Sequence, residues 1–187
     1  MSSPRVIYLV RHGEAAASWG QSADPGLSAL GREQAERACG YLRKALGEAR
    51  PQLVSSPLLR ARETAEPLAR QLDLDPVIDE RFREIPSPVP LAERQDWLRG
   101  FMRGRWSEQD ETLHGWRSGI MDALEALPDR SVVFSHFLVL NAIVGWQEQR
   151  DETLVFWPAN ASVTELRGGD RSGWQVSLGE QMRSRVN

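Results

Sequence analysis

Val6-Ile7-Tyr8-Leu9-Val10-Arg11-His12-Gly13-Glu14 opens the readable part of the chain with five apolar residues, which end at once in a cation, an imidazole and a glycine. A short unbroken apolar run is the pattern of a strand buried on both faces of a parallel sheet. The abrupt polar end puts Arg11 and His12 at the carboxyl edge of that strand, where open α/β sheets bind their ligands.

Working outward, the same alternation returns. Ala35, Ala38, Cys39, Leu42 and Leu46 recur at steps of three and four and predict an amphipathic helix with Ser28 as its N-cap and Pro51 as its stop. Leu53 to Ser55 predicts a second strand. Ser56-Pro57 then predicts a helix start, serine capping and proline in the first turn, running through Ala61, Ala65, Leu68 and Leu72. Val77 to Asp79 is a short extended piece. Leu113, Trp116, Ile120, Leu124 and Leu127 mark another helix, followed by a strand at Ser131 to Ser135 and a helix at Leu138 to Val144. Ser162 to Leu166 and Trp174 to Leu178, on either side of Gly168-Gly169, predict a closing hairpin or edge pair. The expected fold is α/β: three layers, α/β/α, around a mostly parallel sheet.

With 187 residues and 41% hydrophobic content, one domain spanning 1–187 can bury a core without metals or disulfides. The lone cysteine, Cys39, cannot form an internal disulfide, which predicts a reducing, cytoplasmic setting. The Val6 to Val10 run is too short for a signal peptide or a membrane span. A net charge of -3, with arginines scattered among acids, argues against a nucleic-acid partner.

Three predicted strand ends carry the chemistry: Arg11 and His12, then Ser56 and Arg60, then His136. Two arginines beside helix N-termini form an anion pocket suited to a phosphoryl dianion. A histidine that attacks phosphorus must be neutral, and an adjacent guanidinium disfavours its protonation. Poor leaving groups need a proton, which Glu84 or Glu80 can supply. His114 has no such setting and reads as a surface or helix-start residue. His12-Gly13-Glu14 matches the H-x-E of zinc deaminases, but the partner cysteines are missing, so no metal and no cofactor is expected.

The Val10 to Glu14 string resembles the RHG signature of the histidine phosphatase superfamily, which is phosphoglycerate mutase-like. Further segments are similar to that family's motifs: Asp24-Pro25-Gly26-Leu27-Ser28 with Gly31 and Gln34-Ala35, Ser55 to Ala61 with Glu63-Thr64-Ala65, Arg81 to Glu84, and Ser135-His136. The resemblance covers about residues 7 to 144. It implies that His12 is the nucleophile phosphorylated during turnover, that Arg11, Arg60 and His136 hold the phosphoryl group, and that Glu84, in preference to Glu80, is the proton donor. Phe137 stands where another branch of the superfamily carries an acidic aspartate, which supports Glu84.

Two departures bear on the substrate. Ala15-Ala16-Ala17-Ser18 leaves Ser18 as the side-chain phosphate contact after the signature, and Phe137 replaces a glycine, either lining the phosphate pocket or turning its ring into the core. The segment from about 85 to 112, entered through Ile85-Pro86-Ser87-Pro88-Val89-Pro90, is an irregular cap insertion. Trp97, Phe101, Met102 and Trp106 in it read as core, or as a lid whose Arg99, Arg103 and Arg105 help select the substrate. The expected activity is metal-independent hydrolysis of a small-molecule phosphomonoester, by a monomer or homodimer. Phosphoglycerate mutase-type transfer, phosphohistidine removal from proteins and an inactive phosphate-binding scaffold are the alternatives.

Overall fold

The computed structural model describes residues 4–17, 21–169 and 173–182. In chain order its elements are β1 (Arg5–Arg11), α1 (Ala29–Leu46), β2 (Leu53–Ser55), α2 (Leu59–Leu72), β3 (Val77–Ile78), α3 (Arg94–Phe101), α4 (Glu111–Glu125), β4 (Ser131–Ser135), α5 (Phe137–Gln147), β5 (Val163–Gly168) and β6 (Trp174–Ser177). The sheet has six strands in the order β3-β2-β4-β1-β5-β6. Strands β3, β2, β4 and β1 run parallel, and β5 and β6 are added antiparallel, the expected closing pair.

Alternation along β1 divides the core. Ile7 and Leu9 face one side with Val133, α4 and α5, whereas Val6, Tyr8 and Val10 face the other with Ala38, Leu42 and Leu68 of α1 and α2. Burying each large aliphatic side chain contributes roughly 1.5–3 kcal/mol, so both helical layers are held to the sheet mainly by these rows. Helix α5 is apolar all round and almost wholly buried. Its one polar residue there, Asn141, accepts from the Val155 and Phe156 amides at 2.8 and 3.1 Å and so fixes the loop before β5. No helix among the described residues is long and apolar enough to cross a membrane.

Register is what gathers the strand ends. Arg11 stands opposite Ser135, and Ser55 opposite Phe134, so β1, β2 and β4 finish within one residue of the same row. His12, Ser56 and His136 therefore emerge side by side.

Helix starts follow the side chains available. Ser28 caps α1 through the Gly31 amide at 3.0 Å, as the sequence predicts, but α1 ends at Leu46 with Gly47 as a C-cap at a positive φ of 58°, before Pro51 is reached. Helix α2 begins later than expected: Leu58 is its N-cap, and Ser56 accepts from the Leu58 amide at 3.2 Å without capping the helix proper. Ser56 has another partner, described below.

The cap is more regular than its prolines suggest. Pro86, Pro88 and Pro90 keep its entry extended, after which 3₁₀ turns at Leu91–Glu93 and Trp106–Glu108 flank α3. Leu98, Phe101 and Trp106 are buried, and Phe101 and Trp106 meet edge to face at 5.7 Å, so the apolar cap residues join the core. Arg117 of α4 lies over the Trp106 ring at 4.3 Å and ties the cap down by a cation–π contact.

Loop and helix cross closely where the signature leaves β1. A Cβ on Gly13 would sit 2.5 Å from the Gly31 carbonyl oxygen, and one on Gly31 would collide with the Glu14 carbonyl. Gly31→Ala should therefore destabilise the protein by about 2 kcal/mol despite alanine's better helix propensity. A urea midpoint unchanged or raised in that variant would contradict the close approach.

Candidate active site

His12 is held from every side. Its amide donates to the Ser135 carbonyl at 3.0 Å, and its carbonyl accepts from the Ala161 amide at 3.2 Å. The next residue, Gly13, donates to Thr64 Oγ1 at 3.0 Å, and Thr64 in turn donates to the Arg60 carbonyl at 2.7 Å. Ala161 achieves its contact in a left-handed conformation, φ 56°, which costs an L residue on the order of 1–2 kcal/mol.

The ring's tautomer follows from its neighbours. Nδ1 lies 2.6 Å from the Gly13 carbonyl oxygen, which can only accept, so Nδ1 carries the proton. That leaves a lone pair on Nε2, and there the Arg60 Nε–H donates at 3.1 Å. The second histidine, His136, sits edge-on to the first with ring centroids 5.3 Å apart and bonds Ser56 Oγ through Nε2 at 2.7 Å.

Arg11 and Arg60 are both buried at this spot. Arg11 donates from Nη1 to the Pro158 carbonyl at 2.8 Å and stacks over the Phe137 ring at 5.1 Å. Burial, with Arg60 adding to it and Glu84 opposing, lowers its pKa to about 10. Burial and the two guanidinium groups also hold His12 well below the ordinary imidazole range, and burial followed by Arg60 does the same to His136. Both shifts favour the neutral ring.

Glu84 is buried and its carboxyl is pushed up by desolvation, against the Ile85 and Leu138 amides that donate to it at 3.0 and 3.3 Å and against Arg60. Glu80 points elsewhere, exposed and paired with Arg83 at 2.9 Å. Of the two carboxylates the sequence offers, the structure brings Glu84 to Arg11 and Arg60.

Ser18, expected as a phosphate contact, lies outside the described residues. The Phe137 ring is buried, as in the core-directed of its two readings, against the Arg11 guanidinium at 5.1 Å and the Trp157 ring at 5.5 Å. Arg99 and Arg105 face away from the site and pair with Asp96 and Asp151, and Arg103 is exposed. The cap cation that does reach the site is Arg94. Together with Leu91 and Leu98 it closes a narrow cavity of about 30 Å³ over Arg60 and Glu84, against Ala15, Ala17 and Pro25. Residues 91, 94 and 98 fall on one helical face, a spacing visible in sequence but overshadowed there by the tryptophans. Thr64, Pro158 and Ala161 were also unassigned, because a residue that acts by hydrogen-bonding a distant backbone leaves no local pattern. A larger cavity of about 540 Å³ lies between α1 and the β5–β6 edge, but is lined by none of Arg11, His12, Arg60, Glu84 and His136. Among the described residues no cluster of histidine, cysteine and carboxylate side chains is arranged to hold a metal ion.

Histidines kept neutral in the fold but free to protonate when unfolded impose a sign on stability. Below their ordinary pKa of 6.5 the unfolded chain binds more protons, so folding stability should fall as pH drops from about 6.5 to 5. Replacing His12 and His136 together by glutamine should flatten that slope in urea titrations; an equal slope in the double variant would contradict the burial of neutral rings.

Comparison with known proteins shows the family and the fold. Residues 7–181 match the model of the histidine phosphatase superfamily, branch 1. A probable phosphoglycerate mutase, GpmB, of Escherichia coli is 31% identical, over 87% of this chain and 92% of its own. Among solved structures, a mycobacterial glucosyl-3-phosphoglycerate phosphatase complexed with VO3 superposes with a TM-score of 0.68 at 24% identity, covering 95% of this chain and 100% of that one. A phosphoserine phosphatase of Entamoeba histolytica, complexed with 3-phosphoglyceric acid, superposes with a TM-score of 0.70 at 20% identity, covering 95% and 98%. The fold is that of these phosphoglycerate mutase-like phosphatases, and the chain belongs to the histidine phosphatase superfamily.

Proposed function

We propose that the protein hydrolyses phosphomonoesters through a phosphohistidine formed on His12. The observation that carries this reading is the pairing of a His12 Nε2 lone pair, held by Arg60 at 3.1 Å, with a buried Glu84 whose carboxyl pKa is raised by desolvation. In the first step Nε2 attacks phosphorus, the ester P–O bond breaks, and the departing oxygen takes the Glu84 proton. In the second step Glu84, now a carboxylate, takes a proton from water as the water oxygen attacks phosphorus, and the N–P bond breaks to release inorganic phosphate. Arg11, Arg60 and His136 stabilise the charge on the phosphoryl oxygens, in place as preorganised donors.

The cavity bears on substrate size. Leu91, Leu98, Ala15, Ala17 and Pro25 leave little room beside Arg60 and Glu84, which supports a compact leaving group. Arg94, half-buried and forming no ion pair among the described residues, supports a substrate with a second anionic group. A covered pocket fits a side chain on a folded protein poorly, which disfavours phosphohistidine removal from proteins. Mutase-type return transfer uses the same first step and differs only in whether water or a retained acceptor takes the phosphoryl group.

His12→Ala should lower kcat on p-nitrophenyl phosphate by at least roughly a thousandfold, and retained turnover would remove His12 from the nucleophile's role. Glu84→Gln should cost about 10²–10⁴-fold on alkyl phosphates and much less on p-nitrophenyl phosphate, whose leaving group departs without a proton. Vanadate should inhibit competitively, and chelators should leave the rate unchanged.

A further inference from the structure

His12 and His136 are chemically alike, neutral and buried, yet the proposed reaction asks opposite things of them. His12 must present a lone pair to phosphorus; His136 must present an N–H to a phosphoryl oxygen. The Gly13 carbonyl sets the first tautomer. For the second, the hydrogen-bond partner of the ring among the described residues is Ser56, whose Oγ lies 2.7 Å from Nε2. The other nitrogen, Nδ1, is buried without a hydrogen-bond partner among the described residues.

A serine hydroxyl has one hydrogen to give and two lone pairs to accept with. Ser56 Oγ already accepts from the Leu58 amide at 3.2 Å. If its hydrogen goes to His136 Nε2, the hydroxyl is satisfied and the ring proton lies on Nδ1. The reverse arrangement, Nε2–H donating to Oγ, leaves the hydroxyl hydrogen with no acceptor among the described residues, whereas Nδ1 lacks a protein partner in either case. The difference between the two is one buried, unmade hydrogen bond.

We propose that Ser56 is a positioning residue that fixes His136 as the Nδ1–H tautomer, so that the two histidines meet the phosphoryl group as acceptor and donor respectively. The consequence for catalysis rests on the hydrolase reading above, but the tautomer itself does not. Ser56 touches no substrate in this arrangement; it acts through the ring of His136.

The chain has three histidines, so ring nitrogens of ¹⁵N-labelled protein can be assigned by NMR with His114→Gln and His136→Gln variants. At pH 7.5, His136 should show a protonated Nδ1 and an unprotonated Nε2. Ser56→Ala and Ser56→Cys, the latter keeping volume but weakening the donor, should shift it toward a mixture and weaken vanadate binding about tenfold. Ser56→Thr should retain the tautomer and bind vanadate within about twofold of the parent. Loss of local packing alone would lower the melting temperature and leave the ring spectrum in place. A protonated Nε2 in the unmodified protein, or an unchanged tautomer in both the alanine and cysteine variants, would overturn the proposal. The spectrum needs no turnover: an inactive enzyme with the Nδ1–H ring would sink the hydrolase reading alone.

Discussion

Parallel register between β2, β4 and β1 is the constraint on which the site depends. Hydrogen bonding across these strands brings their carboxyl ends to nearly the same row, and the chain leaves that row at His12, Ser56 and His136. A slip of one residue in either ladder would turn each of these side chains to the opposite face of the sheet. The apolar alternation along β1, with rows committed to two separate core layers, is what makes such a slip costly. Packing and chemistry are thus set by the same hydrogen-bond ladders.

What the register assembles is electrostatically unfavourable on its own. Arg11 and Arg60 are buried beside two imidazoles, and Glu84 is the buried carboxylate among them. Desolvation pushes every one of these groups toward its neutral form, and the guanidinium groups meet this mainly by donating to fixed acceptors such as the Pro158 carbonyl and His12 Nε2. An arrangement that gives up stability in this way is ready for a dianion, whose charge would offset the cations without any rearrangement of donors. The strained Ala161 belongs to the same account, since its left-handed backbone is what delivers an amide to the His12 carbonyl.

The cap shows one segment serving two ends. Its aromatic residues anchor it: Phe101 and Trp106 pack into the core and Arg117 grips the Trp106 ring. Its other face carries Leu91, Arg94 and Leu98 over the cavity. Because the anchoring side is buried in the main core, the cavity wall formed by α3 and the turn before it is held in place over Arg60 and Glu84.

Fold class was legible in the sequence because it depends on periodicity: buried strands read as apolar runs and helices as three-and-four spacings, each visible within about ten residues. Arg11, His12, Arg60 and His136 were legible for a related reason, each falling within a turn of a strand end in a motif of contiguous residues. The start of α2 was misplaced because Ser56 has the composition of a cap, while a ring 80 positions away takes its hydroxyl instead. Residue order alone could not rank Arg94 above Arg99, Arg103 and Arg105, since all four are arginines in one segment and only packing decides which face looks inward. The sequence by itself determined the elements and the groups at their ends. The tertiary structure alone decided which groups share a proton or a charge, because hydrogen bonds and Coulomb forces act over a few ångströms of space and take no account of separation along the chain.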